Sequence, residues 1–418
     1  MTPSLEARTR LRGSTEFTGA AAGSSVATGG LTQAFWGVMV AFLVHGLVVS
    51  TWVSRIAAMK GALHLGDGTL GLALLGTAIG SLTAIPICGS LVSRYGSRRI
   101  AIWTAVGFCL ALVPLALARN LASLVAALVV YGVMAGANDV AMNAQAVGTE
   151  RLLGTPTISR FHAMFSLGGI FGAGMGALLA ARGVGTAIHL IVGAGVCLLV
   201  AAISARFMVE TGSARASTEP LSIRRLPMAL AALSTIGFCI FLSEGAIADW
   251  TAVYLKQVLG AGDGLAPVGY AVFSAAMAIF RFSGDAITVR LGRAWTIRAG
   301  GIIAAGGLAL VVLVHSPYWA LAGFAAAGAG FSSIIPLVFA AGGRIPGVSE
   351  GAGVATVSGL GYLGFLAGPP AIGFISELTS LRAGLFLLVI LSAAAVILVS
   401  VVERDGGRDG NPLATRAV

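Results

Sequence analysis

The sequence predicts an all-α membrane protein: twelve transmembrane helices in two pseudo-symmetric six-helix bundles. Three observations lead there. First, 57% of the 418 residues are hydrophobic and only 10% are charged, with a mean hydropathy of +0.94. A soluble chain carries about 25% charged residues, and 10% cannot cover the surface of a soluble globule. Second, twelve apolar segments each reach the roughly 20 residues that cross a bilayer. Third, a polar stretch at mid-chain divides those segments six and six. The 59 glycines are aperiodic and lie among Leu, Val, Ala and Ile. That excludes collagen and disorder and predicts helices packed closely through small residues.

The segments fall at about 32–58, 68–93, 99–118, 121–147, 160–181, 186–208, 227–256, 266–290, 294–314, 317–342, 350–376 and 380–402. Residues 1–31 are Gly/Ala/Ser/Thr-rich with Arg8, Arg10 and Arg12, and read as a disordered cytoplasmic N-terminal tail. The apolar run that follows is too long for a signal peptide. Residues 32–208 form the N-terminal six-helix bundle and 227–402 the C-terminal one. Between them, 209–226 is a cytoplasmic linker carrying Glu210, Arg215, Glu219, Pro220, Arg224 and Arg225. Residues 403–418 are a cytoplasmic C-terminal tail. Pro86, Pro114, Pro336 and the Pro369-Pro370 pair are expected to kink or end helices. Trp52, Trp103, Trp250 and Trp295 fall near span ends, where an interfacial belt is expected.

The net charge of +10 would suggest a nucleic-acid partner in a soluble protein. Here the basic residues sit between apolar spans, so no nucleic acid is expected, and membrane orientation explains them. With both ends cytoplasmic, nineteen of the 26 Lys and Arg lie on the cytoplasmic side. Five lie opposite: Lys60, Arg119, Arg182, Lys256 and Arg382. Arg55 and Arg281 remain inside spans. The expectation is therefore a protein integral to the bacterial inner membrane, monomeric, with the lipid bilayer as its partner and no cofactor or metal. The four cysteines lie in apolar stretches without disulfide-framework or zinc spacing and read as small buried hydrophobes.

The halves resemble each other. Residues 65–68 read LGDG and 261–264 read AGDG. From Asp67 to Gly96 and from Asp263 to Gly292 the distance is the same, and at this offset Arg94 matches Arg290. After span 2 comes Gly89-Ser-Leu-Val-Ser-Arg94-Tyr-Gly96-Ser-Arg98-Arg99. After span 8 comes Gly284-Asp285-Ala-Ile-Thr-Val-Arg290-Leu-Gly292-Arg293. Each is a helix end with a glycine turn and a basic cluster. The guanidinium can bond the last carbonyls of a helix, or a carboxylate on the neighbouring bundle.

With twelve spans, a six-plus-six repeat and this loop, the chain resembles the major facilitator superfamily, whose loop between spans 2 and 3 reads G-x-x-x-D-R-x-G-R-R/K. Gly89, Arg94, Gly96 and Arg98 or Arg99 match. Ser93 stands where the family has Asp, and Asp285, one turn from Arg290, is placed to take part of that role in the second half. In span 4, Gly132-x-x-x-Gly136-x-Asn138-Asp139-x-x-x-Asn143 is similar to the fucose:proton symporter branch, in which a span-4 carboxylate is followed four residues later by Asn. The resemblance covers about residues 32–402. It implies alternating access, with spans 1, 4, 7 and 10 lining the cavity and spans 2, 5, 8 and 11 meeting between the halves. It also implies uptake of a sugar or small polar metabolite with protons.

A charge at mid-bilayer costs at least about 2.5–3.5 kcal/mol, so ionisable residues inside spans face a cavity or a partner. Asp139, with Asn143 on the same face four residues on, is the first choice for a proton carrier, because desolvation favours the protonated acid. A structural ion pair is the bland alternative. Glu244 is second choice. Asp249, five residues from Glu244, cannot share its face. Arg55 lies at the depth of Asp249, and an Arg55–Asp249 salt bridge is expected as an outer gate, against simple snorkelling of Arg55 to the interface. Arg281 either pairs with Asp285 within the helix or binds substrate. His45 and His162 are expected to be helix-packing hydrogen bonders.

No enzyme signature is present, and without a P-loop there is no ATP-driven engine. The expectation is a secondary transporter with a small-molecule substrate and proton as coupling ion. Proton-antiport efflux and a non-transporting membrane receptor or scaffold are the alternatives.

Overall fold

The computed structural model describes residues 28–155, 157–211, 226–405 and 412–413. The expected N-terminal tail, apart from its last four residues, and most of the linker and C-terminal tail lie outside the described residues. The described residues form fifteen helices: α1 (Thr28–Val53), α2 (Ile56–Ala62), α3 (Asp67–Tyr95), α4 (Ser97–Leu110), α5 (Leu112–Ala116), α6 (Leu121–Leu153), α7 (Ile158–Ala181), α8 (Thr186–Phe207), α9 (Met228–Gln257), α10 (Val268–Leu291), α11 (Arg293–Leu313), α12 (Pro317–Phe331), α13 (Ile334–Gly342), α14 (Glu350–Leu378) and α15 (Leu381–Asp405). Three neighbouring pairs, α1/α2, α4/α5 and α12/α13, are broken halves of single spans, so the count is twelve.

The breaks have local causes. α4 ends at Leu110 because Pro114 has no N–H to donate to that carbonyl. By the same rule Pro336 leaves the Ser332 carbonyl free, where span 10 breaks between α12 and α13. Span 1 breaks at Ser54–Arg55, and Arg55 sits at φ −112°, ψ 0°. Pro86, Pro369 and Pro370, by contrast, lie inside helices that continue through them. α6 runs six residues past its expected end, from an Asn120/Ser123 capping box to Gly154, whose φ of +65° closes the helix in the left-handed region. Gly96 and Gly292, the two turn glycines of the repeated loop, take φ of +88° and +78°, which a side chain would strain.

Consecutive spans alternate in direction. One face of the molecule therefore carries the two ends of the described chain and the α3–α4, α6–α7 and α10–α11 turns; it is called the termini face here. Within the first half α3 packs on α6, and α1 on α7 and α8. Within the second, α9 packs on α14 and α15, and α11 on α12 and α15. Between the halves α3 lies against α14 and α7 against α10. These are spans 2, 11, 5 and 8. Apolar side chains such as Leu199, Val289, Leu313 and Ile397 are more than two-thirds exposed, a surface suited to acyl chains rather than water. Trp103 and Trp295 are exposed as a belt requires, but Trp52 and Trp250 are buried in the main core. Their position along the helix is near the end, but their rotation turns them inward.

The halves touch most closely opposite the termini face. A Cβ on Gly373 would lie 2.8 Å from the Asp67 carbonyl oxygen and 2.9 Å from the Gly71 Cα, so α3 and α14 meet backbone to backbone. Gly373→Val should force them apart. The expected cost is about 1–3 kcal/mol of overpacking, seen as a lower thermal midpoint in detergent. A variant as stable as the parent would mean that this contact does not set the spacing of the halves.

Candidate functional site

Asp139 lies at mid-depth in α6, half-buried. Asn143, one turn on, donates its side-chain amide to the Asp139 carbonyl at 2.9 Å and to Asp139 Oδ1 at 3.1 Å. The other carboxylate oxygen, Oδ2, accepts from the Tyr362 hydroxyl at 3.2 Å. Tyr362 comes from α14, so this bond joins the two halves. Its ring stacks on Phe241 of α9, centroids 5.2 Å apart, and Phe241 packs on Phe365 at 4.8 Å. One aromatic wall thus faces one carboxylate across the midline.

A second mid-depth contact crosses between α7 and α10. Arg281 Nη1 donates to Ser166 Oγ at 3.3 Å, and Arg281 Nε donates to the Ser332 carbonyl, also at 3.3 Å. That carbonyl is the one Pro336 leaves free, so the helix break supplies an acceptor for the guanidinium. Glu244 of α9 lies within electrostatic reach of Arg281, and its Oε1 is buried with no hydrogen-bond partner. Asp139 and Glu244 thus sit on opposite halves at similar depth. No group of three or more His, Cys, Asp or Glu among the described residues could hold a metal ion.

Three expectations need correction. Asn138 does not belong with Asp139. It is 2% exposed, and its amide meets His45 Nδ1 at 2.8 Å while its oxygen accepts from Thr104 at 3.1 Å. Adjacent helix positions point about 100° apart, so only one of the pair can face the midline. His45 is accordingly the packing hydrogen bonder expected. His162 sits edge-on to Phe42 at 5.0 Å.

Second, Arg55 does not pair with Asp249. The break at Ser54–Arg55 turns its side chain toward α8, where Nε donates to His189 Nδ1 at 2.7 Å. Asp249 stays half-buried in α9. Third, the loop motif makes its described contacts within its own half. Arg98 Nε donates to the Met208 carbonyl at the end of α8, 2.7 Å away, and the Arg94 guanidinium lies over the Tyr95 ring. Ser93, standing for the family's Asp, bonds back to the Ser90 carbonyl. Gly89 is in α3, while Asp285 and Arg290 are in the last turns of α10. The Asp285 side chain lies outside the described residues.

The seal on the opposite face comes from residues the sequence reading passed over. Lys60 Nζ lies 2.5 Å from Asp67 Oδ1, both side chains largely buried, and donates to Gln257 Oε1 of the other half at 2.6 Å. The Ser376 hydroxyl donates to Asp67 Oδ2, and Glu377 accepts from the Gly68 amide at 3.0 Å. Lys256 pairs with Asp263 at 2.5 Å. The spacing Lys60–Asp67 repeats as Lys256–Asp263, so the repeated Gly-Asp-Gly turn held the clue to its lysine. Among the described residues, none of the five cross-half hydrogen bonds lies in the last two turns at the termini face. The halves are closed at the face opposite the termini.

Residues 34–349 match the family model of the Major Facilitator Superfamily. An uncharacterized MFS-type transporter of Yersinia pestis is 36% identical over 359 residues, spanning 85% of this chain and 92% of that protein. The membrane protein MosC of Rhizobium meliloti is 32% identical over 378 residues, 89% and 90% of the two chains. Among solved structures, a bacterial homologue of the human lysosomal transporter Spinster, inward-facing and unoccupied, superposes with TM-score 0.69 at 15% identity, covering 94% of this chain and all of that one. A mutant form of the nucleoside transporter NupG also gives 0.69, at 10% identity over 88% and 98% of the two chains. At such identities the likeness concerns the fold alone.

Proposed function

This chain belongs to the major facilitator superfamily, and on that premise we propose that it moves a sugar or small polar metabolite by proton symport, through alternating access of the two halves. It is an MFS-type transporter, not an enzyme. The observation that carries the finer reading is the mid-depth Asp139, held by Asn143 and by Tyr362 of the other half. A carboxylate that binds its proton in one state and loses it in another must sense which face is open. The bond to Tyr362 gives Asp139 that sense, because it joins groups that separate or realign when the halves rock. Glu244, with an unpartnered oxygen near Arg281, is the second proton acceptor, and Arg281 is the substrate-facing cation. The protein acts as a monomer in the bacterial inner membrane with both termini cytoplasmic, an orientation supported by the distribution of Lys and Arg. In that orientation the conformation described is closed outside. The resemblance of Asp139 and Asn143 to the fucose:proton symporter branch supports uptake over export.

The test is a thermal-shift screen of small solutes on purified protein, followed by addition of each hit to proteoliposomes holding a pH dye. Symport predicts proton entry with solute entry. Proton exit on solute entry would replace symport with antiport, solute entry without proton movement would take the proton out of the coupling, and neither solute nor proton movement would favour a receptor or scaffold. Tyr362→Phe removes one hydrogen bond to a charged group, worth about 1.5–3 kcal/mol. It should lower coupled uptake roughly tenfold or more while the helices stay assembled, because the ring keeps its stack on Phe241. Uptake equal to the parent would take Tyr362 out of the coupling.

A further inference from the structure

We propose that the face opposite the termini carries an anion site, formed by Arg55, Lys256 and the N-terminus of α8, that takes a small organic carboxylate and staples the halves closed. The site is separate from the mid-depth cluster and does not depend on which solute is moved.

A cavity of about 320 Å³ lies between the halves at this face, at the small end of ligand pockets. Ser54, Arg55, Gly185 and Thr186 line it from the first half, and Lys256 and Asp263 from the second. Gly185 is the N-cap of α8 and provides no side-chain cap. Pro267, also on the wall, has no N–H, and the first amide of α10, Val268, donates to the Leu265 carbonyl at 3.1 Å, so α8 alone supplies free amides. The first-turn N–H groups of a helix lack intrahelical acceptors and carry partial positive charge, which makes such ends anion sites.

Arg55 makes the argument specific. It is 3% exposed, its Nε is spent on His189 Nδ1, and its Nη2 is buried without any partner. A ring nitrogen accepts a bond but brings no negative charge. Among the described residues Arg55 forms no salt bridge. The acid on the cavity wall, Asp263, lies within electrostatic reach of Arg55, but it is held by Lys256 at 2.5 Å, with its side chain 63% exposed, and makes no direct bond to the guanidinium. Arg55, Lys256 and Asp263 together leave the lining net positive. A buried guanidinium is costly unless a counter-charge and hydrogen bonds satisfy it. A carboxylate is the charge-matched partner of a guanidinium and meets the α8 amides as well. Because the walls belong to different halves, an occupant binds only while they are together. By mass action it favours that state.

The experiment is thermal unfolding of the full-length protein in detergent, titrated with sodium benzoate or acetate against sodium chloride at equal ionic strength. The expected result is a saturable rise in Tm with the carboxylates and none with chloride. Arg55→Met should weaken the apparent affinity about 10- to 100-fold, the loss of a charge-assisted bond. Lys256→Met, at a side chain 38% exposed, makes a second variant that leaves the core intact and should weaken it in the same direction. An equal rise with chloride overturns the proposal. So does unchanged affinity in Lys256→Met, whether or not Arg55→Met folds. Asp139→Asn should keep the shift. Its loss there would move the carboxylate to the mid-depth cluster and overturn this site while leaving the transport reading in place.

Discussion

Asp139→Asn should abolish uphill accumulation of the transported solute while leaving downhill exchange. The amide keeps the shape of the carboxyl, and its oxygen still accepts from the Tyr362 hydroxyl, so the contact between α6 and α14 survives. What it loses is the ability to take up and give back a proton. One charge moving through 100 mV supplies about 2.3 kcal/mol, which sustains roughly a 50-fold concentration ratio across the membrane. Without a titrating group the carrier equilibrates its solute and goes no further. The measurement is accumulation of a screened solute in proteoliposomes under an imposed proton gradient, beside counterflow of the same solute without one. Full accumulation by Asp139→Asn would remove Asp139 from the coupling role and pass it to Glu244, testable as Glu244→Gln.

Lys60→Met should open the face opposite the termini. Lys60 binds Asp67 at 2.5 Å with side chains only 7% and 18% exposed, and it reaches Gln257 of the other half. Removing one partner of a buried ion pair strands the other charge, a loss of about 3–5 kcal/mol. The penalty falls on the closed state, in which Asp67 is covered. Once the halves part there, water reaches the carboxylate. The equilibrium should therefore move toward opening by about a hundredfold or more. Spin labels at His64→Cys and Leu378→Cys, both exposed and on different halves, should show a longer distance in Lys60→Met. The double variant Lys60→Met/Asp67→Asn leaves no stranded charge and should recover part of the short distance. Identical distributions in all three proteins would mean that Lys60 is not a latch.

Much of the molecule was legible from composition and order. Span number, the mid-chain division and the repeated Gly-Asp-Gly turn all come from strings of residues that lipid accepts and the few that it does not. The pairing of Asp139 with Asn143 was legible as well, because positions four apart share a helix face wherever the helix goes. Tyr362 was hidden in a glycine-rich stretch whose repeats draw attention to packing, and a single phenol among them gives no periodic signal. Arg55 and Asp249 share a depth along their helices, but equal depth does not make them neighbours, and Arg55 bonds His189 instead. The break at Ser54–Arg55 rotates that side chain toward α8, and no hydropathy pattern announces it.

The amino-acid order by itself determined that this chain spans a membrane twelve times in two similar halves, and which costly ionisable residues lie inside. Only the tertiary structure decided which of them meet: Asp139 with Tyr362, Lys60 with Asp67 and Gln257, Arg55 with His189. The physical reason is the solvent. In lipid both faces of a helix tolerate apolar side chains, so the contrast that reveals a buried face in water is weak. The rotation of each helix about its axis is then set by packing against its neighbours.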